Sequence, residues 1–220
     1  MTISYLEFSI VVVANDHNPT IINPDFLERQ GIVAETWGWK VLGPAITIPP
    51  FATVSYDSRV TVSVEPNRLK LTDTAGTGGP QSSKLVEIVQ KYVKVLPHVR
   101  YSAVGINFRS LVEHSEAQVF LKDRFLKAGP WDSKDHSLQA VGIKLVYPLE
   151  GGRLTLSLDP GTVTQRLEGA SNQMSGVLTD ANFHRDCQGY PSADQVMEHL
   201  GNAKKDWSNY ESLLSEILPG

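Results

Sequence analysis

Two stretches of this chain are alike: Arg59-Val60-Thr61-Val62-Ser63-Val64-Glu65-Pro66 and Arg153-Leu154-Thr155-Leu156-Ser157-Leu158-Asp159-Pro160. In both, aliphatic residues alternate with Thr and Ser between a leading Arg and a closing acid-Pro pair. A period of two predicts a strand with one buried face. Convergence explains the alternation alone, since half-exposed strands favour these residue types. The shared Arg and acid-Pro favour an internal duplication.

The order of predicted elements also repeats. Residues 1–98 and 99–220 each give strand, helix, three strands and helix. The predicted strands are 5–14, 52–56, 59–65, 68–72, 101–108, 138–147, 153–159 and 174–183; the predicted helices are 24–30, 83–96, one after Ser115 and one after Ser192. We therefore expect an α+β fold, in which the two halves form an antiparallel sheet with helices on one face about a pseudo-two-fold axis. The halves are expected to make one compact domain.

The predicted helices carry start signals and apolar stripes. Asn23 and Pro24 predict a capped first helix that stops at Gly31. Ser115-Glu116-Ala117-Gln118 and Ser192-Ala193-Asp194-Gln195 have the pattern of a capping box. The last helix has apolar residues spaced four and three apart: Val196, Leu200, Ala203, Trp207, Tyr210, Leu214 and Ile217. This stripe favours packing on the protein's own sheet, with a partner or dimer contact as the alternative.

Composition excludes several classes of protein. The 220 residues include 20 Lys and Arg against 24 Asp and Glu, a net charge of −4, whereas duplex-binding domains usually carry a basic excess. The longest apolar run, residues 10–14, is far shorter than a membrane helix requires. The first residues lack the features of a signal peptide. We expect a cytoplasmic protein that binds neither nucleic acid nor membrane.

Several motifs resemble those of one uncharacterised bacterial family that occurs sporadically. They include Asn18-Pro19-Thr20-Ile21, Asn23-Pro24-Asp25-Phe26-Leu27 and Val64-Glu65-Pro66-Asn67-Arg68-Leu69, and the resemblance covers about the first half of the chain. The family has no established activity, so the resemblance implies no catalytic residues. Its sporadic occurrence implies a mobile or defence-associated system. The element order also resembles the gyrase-inhibitor-like ligand-binding domains, which implies a small-ligand cleft between the halves.

No catalytic or metal site is predicted. Cys187 is the single cysteine and follows His184 and Asp186, but residues three apart on a strand do not meet. The six histidines show no metal-ligand spacing and are expected on the surface. The Gly-rich segment 74–80 lacks the Lys-Ser/Thr of a phosphate loop. We therefore predict no cofactor and favour a non-enzyme, with a hydrolase using His184 and Asp186 as an alternative.

The candidate binding residues are Trp37, Trp39, Phe51, Arg68, Asn107 and Trp131. The four aromatic residues lie in predicted loops, where aromatic side chains either anchor a loop to the core or form a binding surface. Arg68 and Asn107 are polar members of the family motifs, whose polar residues are otherwise expected to close turns; Glu65 and Arg68 are predicted to pair across one turn.

These observations predict a non-enzymatic protein-binding module. It would hold a partner or a second copy through its sheet edge, its loop aromatics or its terminal helix. A module that binds a small ligand between the halves is the alternative.

Overall fold

Nine strands form a single antiparallel sheet in the computed structural model, which describes residues 2–75, 79–167 and 170–218. The strands are β1 (Ile3–Asn15), β2 (Ile46–Ile48), β3 (Phe51–Ser55), β4 (Val60–Glu65), β5 (Arg68–Asp73), β6 (Arg100–Glu113), β7 (Ile143–Leu149), β8 (Gly152–Leu167) and β9 (Ala170–Asp186). The α-helices are α1 (Pro24–Arg29), α2 (Leu85–Val95), α3 (Ala117–Phe125), α4 (Ala193–Gly201) and α5 (Ala203–Ile217). Residues 76–78 of the predicted Gly-rich loop lie outside the described residues.

The strand order is β2-β3-β4-β5-β1-β6-β9-β8-β7. β1 and β6 are paired at the centre, with Ile10 opposite Ile106 and Ser9 opposite Asn107. On either side of this pair, β4 lies two strands from β1 and β8 lies two strands from β6. The predicted α+β class and antiparallel sheet are confirmed.

The helices pack on one face of the sheet, where they form one core cluster with the inward strand residues. The aliphatic residues of the two matched stretches all contribute to it: Val60, Val62, Val64, Leu154, Leu156 and Leu158 are each at most 3% exposed. From the helices, the buried stripes include Leu85, Ile88 and Tyr92 of α2. No helix in the described part of the chain is long and apolar enough to cross a membrane.

Three predicted strands differ from the structure. β8 and β9 extend well beyond 153–159 and 174–183, because they pair with each other as far as Leu167 and Ala170. Pairing carries β8 through Pro160 and Gly161, which locally favour a turn. β7 begins at Ile143 rather than 138, and the predicted loop 37–50 contains the short strand β2.

The side-chain bonds of the predicted capping boxes form at neither position, although Ser192 is the N-cap of α4, as its box required. α3 starts at Ala117 with Glu116 as its N-cap, and neither α3 nor α4 has a side-chain cap bond. His114 Nδ1 accepts the Glu116 N–H, while the Gln195 amide bonds the backbone of Gln188. At the start of α3, His114 therefore bonds the backbone in place of the predicted Ser115 cap. At the start of α4, Gln195 bonds Gln188 and so does not bond the Ser192 N–H.

The predicted final helix is two helices. α4 ends at Gly201, and α5 begins at Ala203 after Asn202, whose N–H bonds the His199 carbonyl. The stripe nevertheless packs on the protein's own sheet, as the favoured prediction stated: Trp207, Tyr210 and Leu214 are all buried. After the break, α5 packs its apolar side chains against β6, where Trp207 and Tyr210 contact Phe108.

Candidate binding face

The sheet face opposite the helices, which we call the open face, carries a row of small polar side chains. The strand registers align these residues in neighbouring strands, from β3 to β8: Ser55, Thr61, Thr72, Ser9, Asn107, Asn182 and Thr155. Alternation places them here, because their sequence neighbours Val54, Leu71 and Phe108 point into the core. A row of hydroxyl and amide side chains therefore crosses seven strands, and only Ser9, at 3% exposed, is buried within it.

Two amides lie at the centre of this row. Asn182 Nδ2 donates to Asn107 Oδ1 at 2.5 Å, and Asn107 Nδ2 lies 3.4 Å from the carbonyl oxygens of Ser9 and Gly105. A Cβ atom at Gly105 would lie 3.3 Å from Asn182 Nδ2. A side chain at position 105 would therefore crowd the Asn182 amide, and the bonds to backbone carbonyls fix the orientation of Asn107.

Two pairs of oppositely charged side chains lie beside the row. Arg109 Nε lies 3.5 Å from Asp180 Oδ1, and Lys70 Nζ lies 3.6 Å from Glu7 Oε1. Burial raises the pKa of Asp180, and the charge of Arg109 opposes that shift. Each of these two cations is matched by a carboxylate, unlike the unopposed cations that bind a phosphate backbone.

Apolar side chains lie at both ends of the open face. Ile46 and Ile48 of β2 are 44% and 48% exposed, and Phe51 follows them at the start of β3. At the opposite edge, Val146 of β7 pairs with Thr155 and is 58% exposed. The face therefore combines a polar centre with apolar margins, as protein-binding surfaces often combine polar and apolar groups.

Three of the six predicted binding residues lie on the open face, but they do not form one cluster. Phe51 lies at the β2–β3 end. Arg68 pairs with Val13 and Asn107 with Ser9, so they are offset by four residues, about 13 Å, along β1, and they lie on the strands to either side of it. Arg68 also forms the predicted bond to Glu65, with Nη2 2.7 Å from Oε1.

The other three predicted residues lie elsewhere. Trp37 and Trp39 pack against each other with ring centroids 4.8 Å apart and join the core cluster on the helix side. The Nζ atoms of Lys84, the N-cap of α2, and of Lys91 lie 5.2 and 4.9 Å from the centroid of the Trp37 ring. Trp37 and Trp39 are thus loop anchors.

Trp131 lies in the loop after α3 and is 49% exposed. A Cβ atom at Gly129 would clash with its ring, so this ring packs against the backbone of its own loop. Trp131 does not contribute to the row of polar side chains.

The structure brings together the two residues of the hydrolase alternative, but it does not activate the Cys187 thiol. Burial, and secondarily the charge of Asp186, raises the pKa of Cys187 to about 11, so the thiol is protonated at neutral pH. His184 Nε2 lies 3.0 Å from Asp186 Oδ1 on the open face. Among the described residues, no group of three His, Cys, Asp or Glu side chains is placed to hold a metal ion.

The prediction that all six histidines lie on the surface is wrong for His17, which is 3% exposed. Its Nε2–H donates to the Val12 carbonyl at 3.3 Å, and its Nδ1 accepts from the Tyr92 hydroxyl at 3.1 Å. Burial lowers its pKa. The surrounding turn residues gave no sequence signal for this burial, since Tyr92 is 75 residues away.

Two of the polar motif residues, Asn18 and Asn23, bond the backbone through their side chains at turns or helix starts, as predicted. Asn18 Oδ1 accepts the Thr20 N–H, and Asn23 Oδ1 accepts the Phe26 N–H at the start of α1. The backbone oxygens of Pro66 and Asn67 accept the N–H groups of His17 and Ala14.

Compared with known proteins, the chain matches no protein-family model and no curated protein.

Proposed function

We propose that this protein is a non-enzymatic module that binds a protein partner through the open face. The observation that carries the proposal is the row of hydroxyl and amide side chains that crosses the sheet on the face opposite the helices. Amides and hydroxyls both donate and accept hydrogen bonds. Such groups suit the peptide and side-chain groups of another protein.

The terminal helix and two of the loop aromatics, which the sequence also suggested as binding surfaces, pack against the protein's own core. The terminal helix α5 buries Trp207 and Tyr210 against the sheet. Among the loop aromatics, Trp37 and Trp39 are anchors on the helix side.

The two sheet edges carry features that oppose strand addition. β2 has only three residues between Pro44 and Pro49, and β7 contains Pro148. Short edge strands and prolines both hinder pairing with a further strand, because proline has no N–H to donate.

Paired charges favour a protein over a nucleic acid as the partner. Nucleic-acid binding requires clustered Lys and Arg that face phosphates without competing carboxylates. Arg109 and Lys70 instead lie close to Asp180 and Glu7.

Affinity purification from cells that express the chain natively tests the proposal. Thr155→Arg places a long cation in the polar row, and Val119→Arg places the same side chain on α3, where Val119 is 52% exposed. We expect a partner that is retained by the native chain and by Val119→Arg, and is lost with Thr155→Arg. A partner retained equally by both variants would contradict docking on the open face.

A pocket between α5 and β7 supports binding of a small apolar ligand as a second candidate function. It has a volume of about 320 Å³ and is lined mainly by Tyr147, Leu149, Leu154, Phe183 and Leu213. It lies within residues 99–220 rather than between the halves, which pair directly through β1 and β6. Enhanced fluorescence of an apolar dye, abolished by Leu213→Arg and unchanged by Val119→Arg, would support this candidate.

We also propose that the two halves arose by duplication and that the chain is related to the sporadic bacterial family. The matching positions of β4 and β8 about the central pair support the duplication. Superposing residues 1–98 on 99–220 in an experimental structure tests it: β4 should fall on β8, with Val62 near Leu156. An arrangement in which these strands do not superpose would contradict the duplication.

A further inference from the structure

We infer that the β2–β4 end of the open face docks onto a second copy of this chain, forming a two-fold symmetric dimer. This surface, which we call the uncharged end, comprises Ile46, Ile48, Phe51, Thr53, Ser55, Thr61 and Ser63. The charges that border it, Glu65 and Lys70, are each paired within the subunit, with Arg68 and Glu7 respectively. The uncharged end shares Ser55 and Thr61 with the polar row that is proposed to bind the protein partner, but the centre of that row lies at Asn107 and Asn182.

Exposed apolar side chains concentrate at this end of the sheet. Leu42, whose N–H bonds the Ser55 carbonyl, is 64% exposed, beside Ile46 and Ile48 at 44% and 48%. These three residues lie within seven positions of one another. Isolated apolar side chains are ordinary on a protein surface, but a contiguous group of this kind marks an interaction surface.

The same segment contains no charge. Residues 41–56 include no Asp, Glu, Lys, Arg or His, although a fifth of the whole chain is charged. A two-fold axis brings the same patch of both subunits together, so each charge in it would approach its own copy. An uncharged patch avoids that repulsion, and this feature favours a second copy as the occupant.

The polar groups of the uncharged end are hydroxyls. Thr53 Oγ1 lies 3.1 Å from Ser63 Oγ, and Ser55 Oγ lies 3.0 Å from Thr61 Oγ1. A hydroxyl both donates and accepts, whereas a carboxylate only accepts and an ammonium only donates. A hydroxyl surface is therefore complementary to an identical copy of itself.

The contact uses the face rather than the free edge of β2. Pro44, Pro49 and Pro50 limit the backbone donors at that edge. The Thr47 hydroxyl is already used inside the subunit, where it donates to the Ile22 carbonyl at 2.7 Å. Packing of Ile46 and Ile48 against the second copy would bury the apolar group.

Light scattering of the full chain after size-exclusion chromatography tests this inference. We expect twice the 24.2 kDa mass of one chain, unchanged by sodium chloride because no ion pair holds the contact. Ile48→Glu places a carboxylate in the contact of each subunit and should weaken association about 100-fold or more. Val119→Glu, the matched control on α3, should leave the dimer intact.

Thermal melting at matched monomer concentrations establishes that Ile48→Glu folds, since position 48 is half exposed. A native chain that stays at 24.2 kDa when concentrated would overturn the inference, as would an Ile48→Glu variant that remains dimeric. The native chain could instead be monomeric and capture a different protein. If Ile48→Glu abolished that capture, the uncharged end would be the binding site for that protein and the inferred dimer would be wrong.

Discussion

Trp207 of α5 packs against two aromatic side chains on the helix side of the sheet. Its ring centroid lies 4.7 Å from that of Tyr5 and 5.0 Å from that of Phe108. A Cβ atom at Gly79 would lie 2.5 Å from the indole ring, and Gly79 has φ +82. Only glycine fits both that backbone conformation and that close approach, so the loop before α2 packs under the ring of α5.

Trp207→Ala should lower the free energy of unfolding by about 3–5 kcal/mol, because it removes a large buried aromatic side chain. Urea denaturation measures this change. Trp131→Ala is the matched control and should cost less than about 1 kcal/mol, since Trp131 is half exposed. An equal cost for both substitutions would show that Trp207 does not fill the core.

His17 makes stability depend on pH. Its folded pKa is lowered from the usual 6.5 by burial, so the folded state holds it neutral while the unfolded state protonates it below that value. The unfolded state then binds more protons, and stability falls as the pH drops below about 6.5, by at most about 1.4 kcal/mol per pH unit. Above about 6.5 this contribution is fully present.

Urea denaturation between pH 7.5 and pH 5 checks the prediction for His17. His17→Gln cannot gain this proton and should lose stability less steeply as the pH falls. His136→Gln removes an exposed imidazole and should retain the native slope. A native-like slope in His17→Gln would contradict the assignment.

Among the elements, α5 is attached to β9 by a buried ion pair. Arg185 Nη1 and Nη2 lie 2.7 and 2.6 Å from the two carboxylate oxygens of Asp206. Both residues are buried, although Arg185 belongs to a strand and Asp206 to a helix. Two parallel bonds fix the helix against the strand, and each charge depends on the other for its solvation.

Asp206→Leu should destabilise the protein by about 3–5 kcal/mol, because it leaves the Arg185 guanidinium buried without a partner. Arg185→Met should have a similar effect through the carboxylate. The double variant should be more stable than either single variant, since neither charge then remains unpaired. Chemical denaturation of all four proteins measures the coupling, and additive losses would contradict it.

Across the whole molecule, the net charge of −4 and the paired charges of the open face predict negligible binding to DNA. A labelled random duplex should show no change in fluorescence anisotropy at physiological salt. Binding that is tight and decreases steeply with salt would contradict this prediction. Reversing a carboxylate on the face, as in Asp180→Lys, should increase binding at low salt more than Asp135→Lys in the exposed loop before β7.

The sequence by itself determined those features that depend on near neighbours. The alternation in 59–65 and 153–159 identified which aliphatic residues face the core, because successive strand residues point to opposite faces. Asn23, Pro24 and Gly31 identified the first helix, because capping and positive φ are local requirements. The apolar spacing after Ser192 similarly identified a stripe that is buried on the sheet.

Only the tertiary structure decided what depends on distant partners. The order of the strands aligned Asn107 with Asn182 and gathered hydroxyls from separate segments on the open face. Pairing with β9 carried β8 through Pro160, and packing divided the final helix at Asn202. His17 was buried by Tyr92, far along the chain. Local periodicity encodes which face a side chain takes, whereas strand order and burial are set by the free energy of contacts between segments remote in sequence.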